Sequence, residues 1–273
     1  MKKKSENSLD YKSPSDIPFY IGLILIGGIY IFFIVGLLLA DTTYTTVQDF
    51  KNIFASREIR FAIRLSLFSC SLTALLSIWV AVPIGYLMSR FNFPGKSFLD
   101  AVLDIPIVLP PLVIGLSLLI FFQTSFGKMI ESIFPITYAL PSVILAQFMV
   151  ACAFAVRVMR STFEQIDQRQ EQVALTLGAS RSQSFWLVAL PAARHGVLAA
   201  GTIAWARALG EFGPILLFSG ATRMKTEVLP TTVYLEMSTG NIEAAVAVSL
   251  MMVTAAILVL VLVRSFGGGR LYL

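Results

Sequence analysis

The chain has 273 residues, of which 56% are hydrophobic and only 14% charged, with a formal net charge of +5. A soluble domain is about 25% charged, so this balance excludes an ordinary soluble enzyme or binding module. It points to a chain that lies mostly in lipid.

A membrane-crossing helix needs about 20 mostly apolar residues. Six stretches qualify, at about 17–40, 63–89, 105–123, 138–158, 196–218 and 244–263, the fifth interrupted by Arg207 and Glu211. Helices are expected because lipid offers no partner to an unpaired backbone group. A β-barrel would show alternating segments of about ten residues, and these runs do not alternate. The expected fold is an all-α integral membrane protein of six transmembrane helices. Tails at 1–16 and 264–273 complete it, with no soluble domain.

In chain order, residues 1–16 are polar and carry Lys2, Lys3, Lys4 and Lys12. The first span is too long for the apolar core of a signal peptide, and Leu38-Leu39-Ala40 is a poor cleavage site, so an uncleaved helix is expected. Residues 41–61 form a polar loop with an amphipathic piece at 47–59. After the second span, 90–103 reads as a short turn carrying Pro94-Gly95. The third span opens with Pro106, Pro110 and Pro111, each lacking a backbone donor. Two readings stand for it. It is kinked or unwound where it borders a water-filled path, or it is a helix start with proline in the first turn. The fourth span leads into a polar stretch at 163–191. The loop at 219–243 carries Pro230 and Gly240 as breakers, and Gly267 to Gly269 make the last tail flexible.

Basic residues set the orientation. Lys2 to Lys12, Arg90, Lys96, Arg157, Arg160, Arg169, Arg181, Arg194, Arg264 and Arg270 fall on one side. By the positive-inside rule both termini and the 163–191 stretch are cytoplasmic. The basic balance is thus accounted for by topology, and no nucleic-acid partner is expected. Cys70 and Cys152 lie within spans, where single cysteines act as small hydrophobes. No disulfide or metal site is expected. His195, the only histidine, stands at the foot of a span as an interfacial residue.

The 163–191 stretch is the most informative. Phe163 to Leu177 has good helix formers, and Gly178 can take the left-handed conformation that ends a helix. Ser180 sits where an N-cap belongs, and Gln183 completes a capping box. A second helix then runs to Leu190, with Phe185, Trp186, Val188 and Leu190 as its apolar side. Pro191 fits the first turn of the next helix. A short aromatic helix on a membrane face suits either docking in a partner's groove or resting on the lipid interface.

This pattern resembles the signature loop of ABC-importer permeases: Glu-Ala-Ala, three residues, Gly, nine residues, Ile, one residue, Leu-Pro. Aligned on Gly178, the chain has Gln172, Val173 and Ala174, then Gly178, Val188, Leu190 and Pro191. Gln172 stands for the family's Glu and Val173 for its first Ala, with Glu171 next door as an alternative acid. Residues 106–115, PIVLPPLVIG, and 206–213, ARALGEFG, are similar to motifs of molybdate, tungstate and sulfate permeases. Residues 219–234 resemble the outer loop of the molybdate/tungstate group.

The resemblance implies a permease of the type I importer kind in a prokaryotic cell membrane, moving a tetrahedral oxyanion. It implies a coupling loop built from Glu171, Gln172, Ala174, Gly178, Ala179, Ser180, Leu190 and Pro191. It further implies a separate ATP-binding subunit that holds ATP and magnesium, an extracytoplasmic substrate-binding protein, and a second copy of this chain. No cofactor is expected in the chain itself, and molybdate or tungstate is the expected substrate, with sulfate as the close alternative.

Arg207 and Glu211 are four apart on one helix face. Each would cost about 2.5–3.5 kcal/mol at the bilayer centre, so they should pair and point into the bundle. Either they fix helix packing, or with Pro106, Pro110, Pro111 and Gly213 they border a path or gate. Thr222, Arg223, Lys225 and Thr226 in the outer loop either meet an oxyanion or a binding protein, or form an ordinary solvated loop.

Two other classes are weaker. A membrane enzyme needs a nucleophile, a base or metal ligands at membrane depth, and no such set is present. Pro94-Gly95-Lys96-Ser97 lacks the first glycine of a phosphate-binding loop, since position 90 is Arg90. A stand-alone channel or secondary transporter would place acids in several spans, and only Glu211 qualifies.

Overall fold

The computed structural model describes residues 16–266. The expected tails therefore fall almost wholly outside the described residues. Residues up to Tyr44 form one unit and those from Thr45 another.

The first unit is α1 (Ile17–Thr43), apolar on every side and about 40 Å long at 1.5 Å per residue. In the second, α2 (Val47–Ala55) is the amphipathic piece ahead of the second span. Thr46 and Asp49 close its capping box, and Ser56 separates it from α3 (Arg57–Arg90). Next come α4 (Lys96–Val108), α5 (Pro111–Gln123), α6 (Ser125–Ile133) and α7 (Leu140–Gln165). Then α8 (Arg169–Thr176) is followed by α9 (Arg181–Ser184), a π-turn (Phe185–Ala189) and α10 (Leu190–Ala192). After them come α11 (Arg194–Leu209), a second π-turn (Ile215–Ser219), α12 (Leu229–Ser238) and α13 (Ile242–Phe266). No strand occurs among the described residues.

The centre of this unit is the α3–α7 pair, with α11 packed on both. In lipid there is no hydrophobic drive between helices, so small residues that admit close approach decide the contact. Helix α3 buries Ala62, Ser66, Ser69, Thr73, Ser77, Ala81 and Gly85. Helix α7 buries Ser142, Ala146, Val150, Ala153, Ala155 and Met159. At Gly85 the approach is tight: a β-carbon there would lie 2.8 Å from the Arg160 backbone nitrogen.

The third apolar stretch is not one helix. Helix α4 starts at Lys96, nine residues before the expected span, so the expected turn over 90–103 is mostly helical. The chain then bends by 110° between Val108 and Pro111. Leu109 is pushed to extended backbone by the proline after it, and Pro110 is extended too. The stretch is broken, and Pro111 begins α5, as a proline in the first turn of a helix does. Pro106 lies inside the last turn of α4.

Two more differences have local causes. Helix α7 runs seven residues past 158, so Phe163 to Gln165 belong to it, and the expected helix from Phe163 to Leu177 is broken at Ile166–Gln168. The loop at 219–243 contains α12, with Pro230 in its first turn, where proline begins a helix rather than breaking it. Gly240 does end it, at φ +81.

Candidate functional site

The expected coupling segment folds as two short helices about a glycine turn. Gly178 has φ +90, which an L side chain resists. Its N–H donates to Leu175 O at 3.0 Å and Ala179 N–H to Ala174 O at 3.0 Å, the Schellman closure of α8. Ser180 then caps α9. Its N–H donates to Gln183 Oε1 at 2.8 Å, and Gln183 N–H to Ser180 Oγ at 3.2 Å. The chain continues helically through Leu190 and Pro191 before a 69° bend into α11.

The acid of this segment is turned inward. Glu171 is buried and accepts from Tyr86 Oη at 2.6 Å and from Arg90 Nε at 2.8 Å. Arg90 also donates Nη1 to Phe163 O at 2.7 Å and Nη2 to Ile166 O at 3.0 Å. One guanidinium thus ties the end of α3, the end of α7 and the start of α8. Ser184 Oγ donates to Glu171 O at 3.4 Å, and Phe185 packs edge-on against Tyr86 at 4.7 Å. The neighbouring Gln172 is exposed. Glu171 therefore secures the segment to the helix bundle. Sequence alone did not single out Tyr86 or give Arg90 this role; the only local hint is that Arg90 closes a long apolar run.

The opposite face is apolar and open. Val173, Leu177, Trp186 and Leu187 are 57, 82, 62 and 73% exposed.

Of the expected path residues, Arg207 pairs with Glu211 and Gly213 lies against Pro111, while Pro106 and Pro110 are not brought to them. Helix α11 stops at Leu209, and Gly210 to Phe212 are not helical. Glu211 sits in this gap, 1% exposed, and pairs with Arg207 Nη1 at 2.8 Å although no well-aligned hydrogen bond reaches its Oε2. Arg207 lies over the Phe154 ring at 5.7 Å. Gln147 Nε2 donates to Ala208 O at 3.2 Å, and Thr73 Oγ1 to Gln147 Oε1 at 3.3 Å. Buried amide and hydroxyl groups thus take up the backbone group freed by the break. The two motifs 106–115 and 206–213 meet at this point. A β-carbon on Gly115 would lie 2.6 Å from Pro214 Cα, and one on Gly213 would lie 3.0 Å from Leu112 N. The 110° break before α5 and the gap after α11 therefore bear on each other, backbone to backbone. Pro111 stands at this contact, next to Leu112, while Pro106 and Pro110 flank the break.

In the 219–243 loop Thr222 and Lys225 are exposed, as a solvated loop expects, while Arg223 and Thr226 are held within the chain. Arg223 Nη2 donates to Glu236 Oε1 at 2.8 Å, and its Nη1 lies 3.1 Å from Glu58 Oε2 and 3.6 Å from Glu227 Oε1. Thr226 is fully buried, with its hydroxyl donated to Gly220 O. A guanidinium facing three carboxylates is no anion receiver, and residues 226–229 are buried rather than solvated. Glu227 is wholly buried, and burial pushes its carboxyl above the ordinary glutamate value.

Helices of membrane length, a capped segment fastened to them and broken spans packed at a glycine contact define a multi-helix integral membrane protein. Residues 81–268 match the family described as binding-protein-dependent transport system inner membrane component, and the chain belongs to that family. It is 37% identical over 156 residues to the molybdate/tungstate transport system permease protein WtpB of Thermococcus kodakarensis, covering 57% of this chain and 59% of that one. The match thus spans less than two thirds of that relative. It is 35% identical over 190 residues to the molybdenum transport system permease protein ModB of Escherichia coli, covering 68% and 83%. The sulfate transport system permease protein CysT of Escherichia coli is 27% identical over 78% of each chain. Among solved structures, a chain of a bacterial alginate ABC transporter in complex with an alginate pentasaccharide-bound periplasmic protein superposes with TM-score 0.73. It shares 17% identity over 93% of this chain and 94% of that one, a likeness of fold.

Proposed function

We propose that the chain is the translocation subunit of an ATP-driven importer that brings a tetrahedral oxyanion, molybdate or tungstate, into a prokaryotic cell. The observation that carries this reading is the coupling segment: an open apolar face held rigidly to the bundle by the Arg90–Glu171 pair. Such a mount suits a subunit that moves as nucleotide binds. The chain itself does no chemistry; a partner subunit holds ATP and magnesium and docks at Val173, Leu177, Trp186 and Leu187. The termini and the coupling segment face the cytoplasm. A second copy completes the path, and an extracytoplasmic binding protein delivers the ion.

The path residues form a hinge. Gly213 and Gly115 let the α5 break ride on the α11 gap, and the Arg207–Glu211 pair holds the gap shut. Because Glu211 cancels much of the Arg207 field, the pair supports a gate rather than a tight anion site, as passage requires weak binding. Sulfate is the second reading, favoured by the likeness to the sulfate permease over most of both chains.

The test is ATP hydrolysis by the chain reconstituted with its ATPase and binding protein under molybdate, tungstate and sulfate. A loaded binding protein should stimulate hydrolysis, and Leu177→Asp should abolish the stimulation while leaving the chain folded. The oxyanion that stimulates most names the substrate. Unchanged coupling in Leu177→Asp would remove the docking assignment, and unchanged transport in Glu211→Gln would remove the gate.

A further inference from the structure

The first two turns of α3 carry Arg57, Arg60 and Arg64, all exposed. None of the three forms an ion pair among the described residues. Arg60 only turns its Nε back to Ser56 O, at 3.3 Å. Their spacing of three and four puts them on one helix face. Inside the chain this arrangement is unfavourable. Cations at a helix N-terminus oppose its dipole, and like charges one turn apart repel. No carboxylate lies within ion-pair distance of them among the described residues, so their donors are open to a partner outside the chain.

The same helix face continues through Phe68, Leu75 and Trp79, which are 54, 65 and 76% exposed. A row of arginines thus stands at the head of an open apolar strip, the pattern of a helix passing from headgroups into hydrocarbon. The length agrees. Arg64 and Arg90 are about 39 Å apart along the axis, close to the roughly 40–45 Å of a bilayer with its headgroups. With Arg90 at the coupling end, Arg64 falls in the opposite headgroup layer. Ahead of α3, α2 exposes Val47, Lys51 and Phe54 at spacings of four and three, while Ile53 is buried. Apolar side chains flanking a lysine make the exposed face of an interfacial helix.

We propose that Arg57, Arg60 and Arg64, with Lys51, bind the phosphodiester headgroups of anionic phospholipid at the membrane face opposite the coupling segment. The guanidinium fork matches two phosphate oxygens at once. Continuity with the apolar strip favours lipid over an acidic protein surface, because the bound headgroup's acyl chains would lie along Phe68 and Leu75. The site does not depend on which ion the protein carries.

Native mass spectrometry of the full chain, offered equal phosphatidylglycerol and phosphatidylcholine, tests this. The wild type should retain phosphatidylglycerol preferentially. Arg57→Gln/Arg60→Gln/Arg64→Gln should lose the preference at about fivefold per arginine. The corresponding triple lysine variant should keep most of it, and raising salt on the wild type should weaken it, a check that needs no variant. Four results would overturn the proposal: no preference in the wild type, an unchanged preference in the triple glutamine variant, no response to salt, or displacement of phosphatidylglycerol by inorganic phosphate at equal concentration. A wild type without lipid preference whose glutamine variant loses stimulation by the binding protein would assign the arginines to protein docking.

Discussion

Arg90 in the last turn of α3 and Arg223, which reaches Glu58 in its first turn, are each held by several partners, and they balance differently. Arg90 meets one carboxylate and two carbonyls, and its side chain is 6% exposed. Arg223 meets three carboxylates, including Glu58 of the first turn of α3, and its side chain is 32% exposed. The first set is neutral and closed. The second carries excess negative charge, and Glu227 is left with a buried oxygen that accepts no hydrogen bond. Charge balance, more than the number of contacts, separates a fixed joint from one that responds to its surroundings. The Arg90 set closes the joint between α3, α7 and α8, while the Arg223 set leaves the buried Glu227 carboxyl raised above the ordinary glutamate value.

The largest test of this difference is Arg90→Ala. It strands Glu171 and two backbone carbonyls, and breaking a buried pair costs about 3–5 kcal/mol. Limited proteolysis should then cut around 166–180, and thermal stability in detergent at neutral pH should fall steeply. Intact resistance would mean that Glu171 is not what holds the segment. Gly115→Ala sets a methyl against Pro214 and should cost about 1–3 kcal/mol by overpacking. Transport should fall more than ATPase docking does; equal losses would deny the hinge a role of its own. Gly178→Ala has open space for its methyl but a strained φ, a cost of about 1 kcal/mol. It should loosen the joint without detaching it, seen as reduced coupling with the partner ATPase still bound.

The smallest effect is the one that responds to pH. Burial raises the Glu227 pKa above 4.5, so just above that value the folded chain holds more protons than the unfolded one. The carboxyl therefore adds stability as pH falls into this window and costs stability as pH rises out of it. Glu227→Gln should flatten the dependence of Tm on pH across mild acid and leave Tm at neutral pH equal or higher. A slope as steep as the wild type's would place the pH response elsewhere.

Local features were legible in the sequence because their partners are near in the chain. Gly178, Ser180 and Gln183 form a turn and a cap within six residues, and the structure builds them as read. The broken third stretch follows from Pro110 and Pro111 acting on their own neighbours. The reading failed where residues distant in sequence meet. Arg223 read as a solvated or anion-meeting residue, because Glu58 lies 165 positions away and Glu236 thirteen. Arg90 read as an orientation signal, because Glu171 is 81 positions away. Pro230 read as a breaker, because composition does not show which side of a helix start a proline falls on.

The sequence by itself determined that the chain is apolar, helical and of membrane length, where the turn at Gly178 and the cap at Ser180 fall, and which family it resembles. Those properties arise from composition, periodicity and backbone chemistry within one turn. Only the tertiary structure decided that Glu171 faces inward to Arg90 while Leu177 and Trp186 face out, and that Gly115 meets Pro214. The physical reason is that burial, charge pairing and close approach belong to pairs of residues brought together by packing, and neither member of such a pair specifies the other.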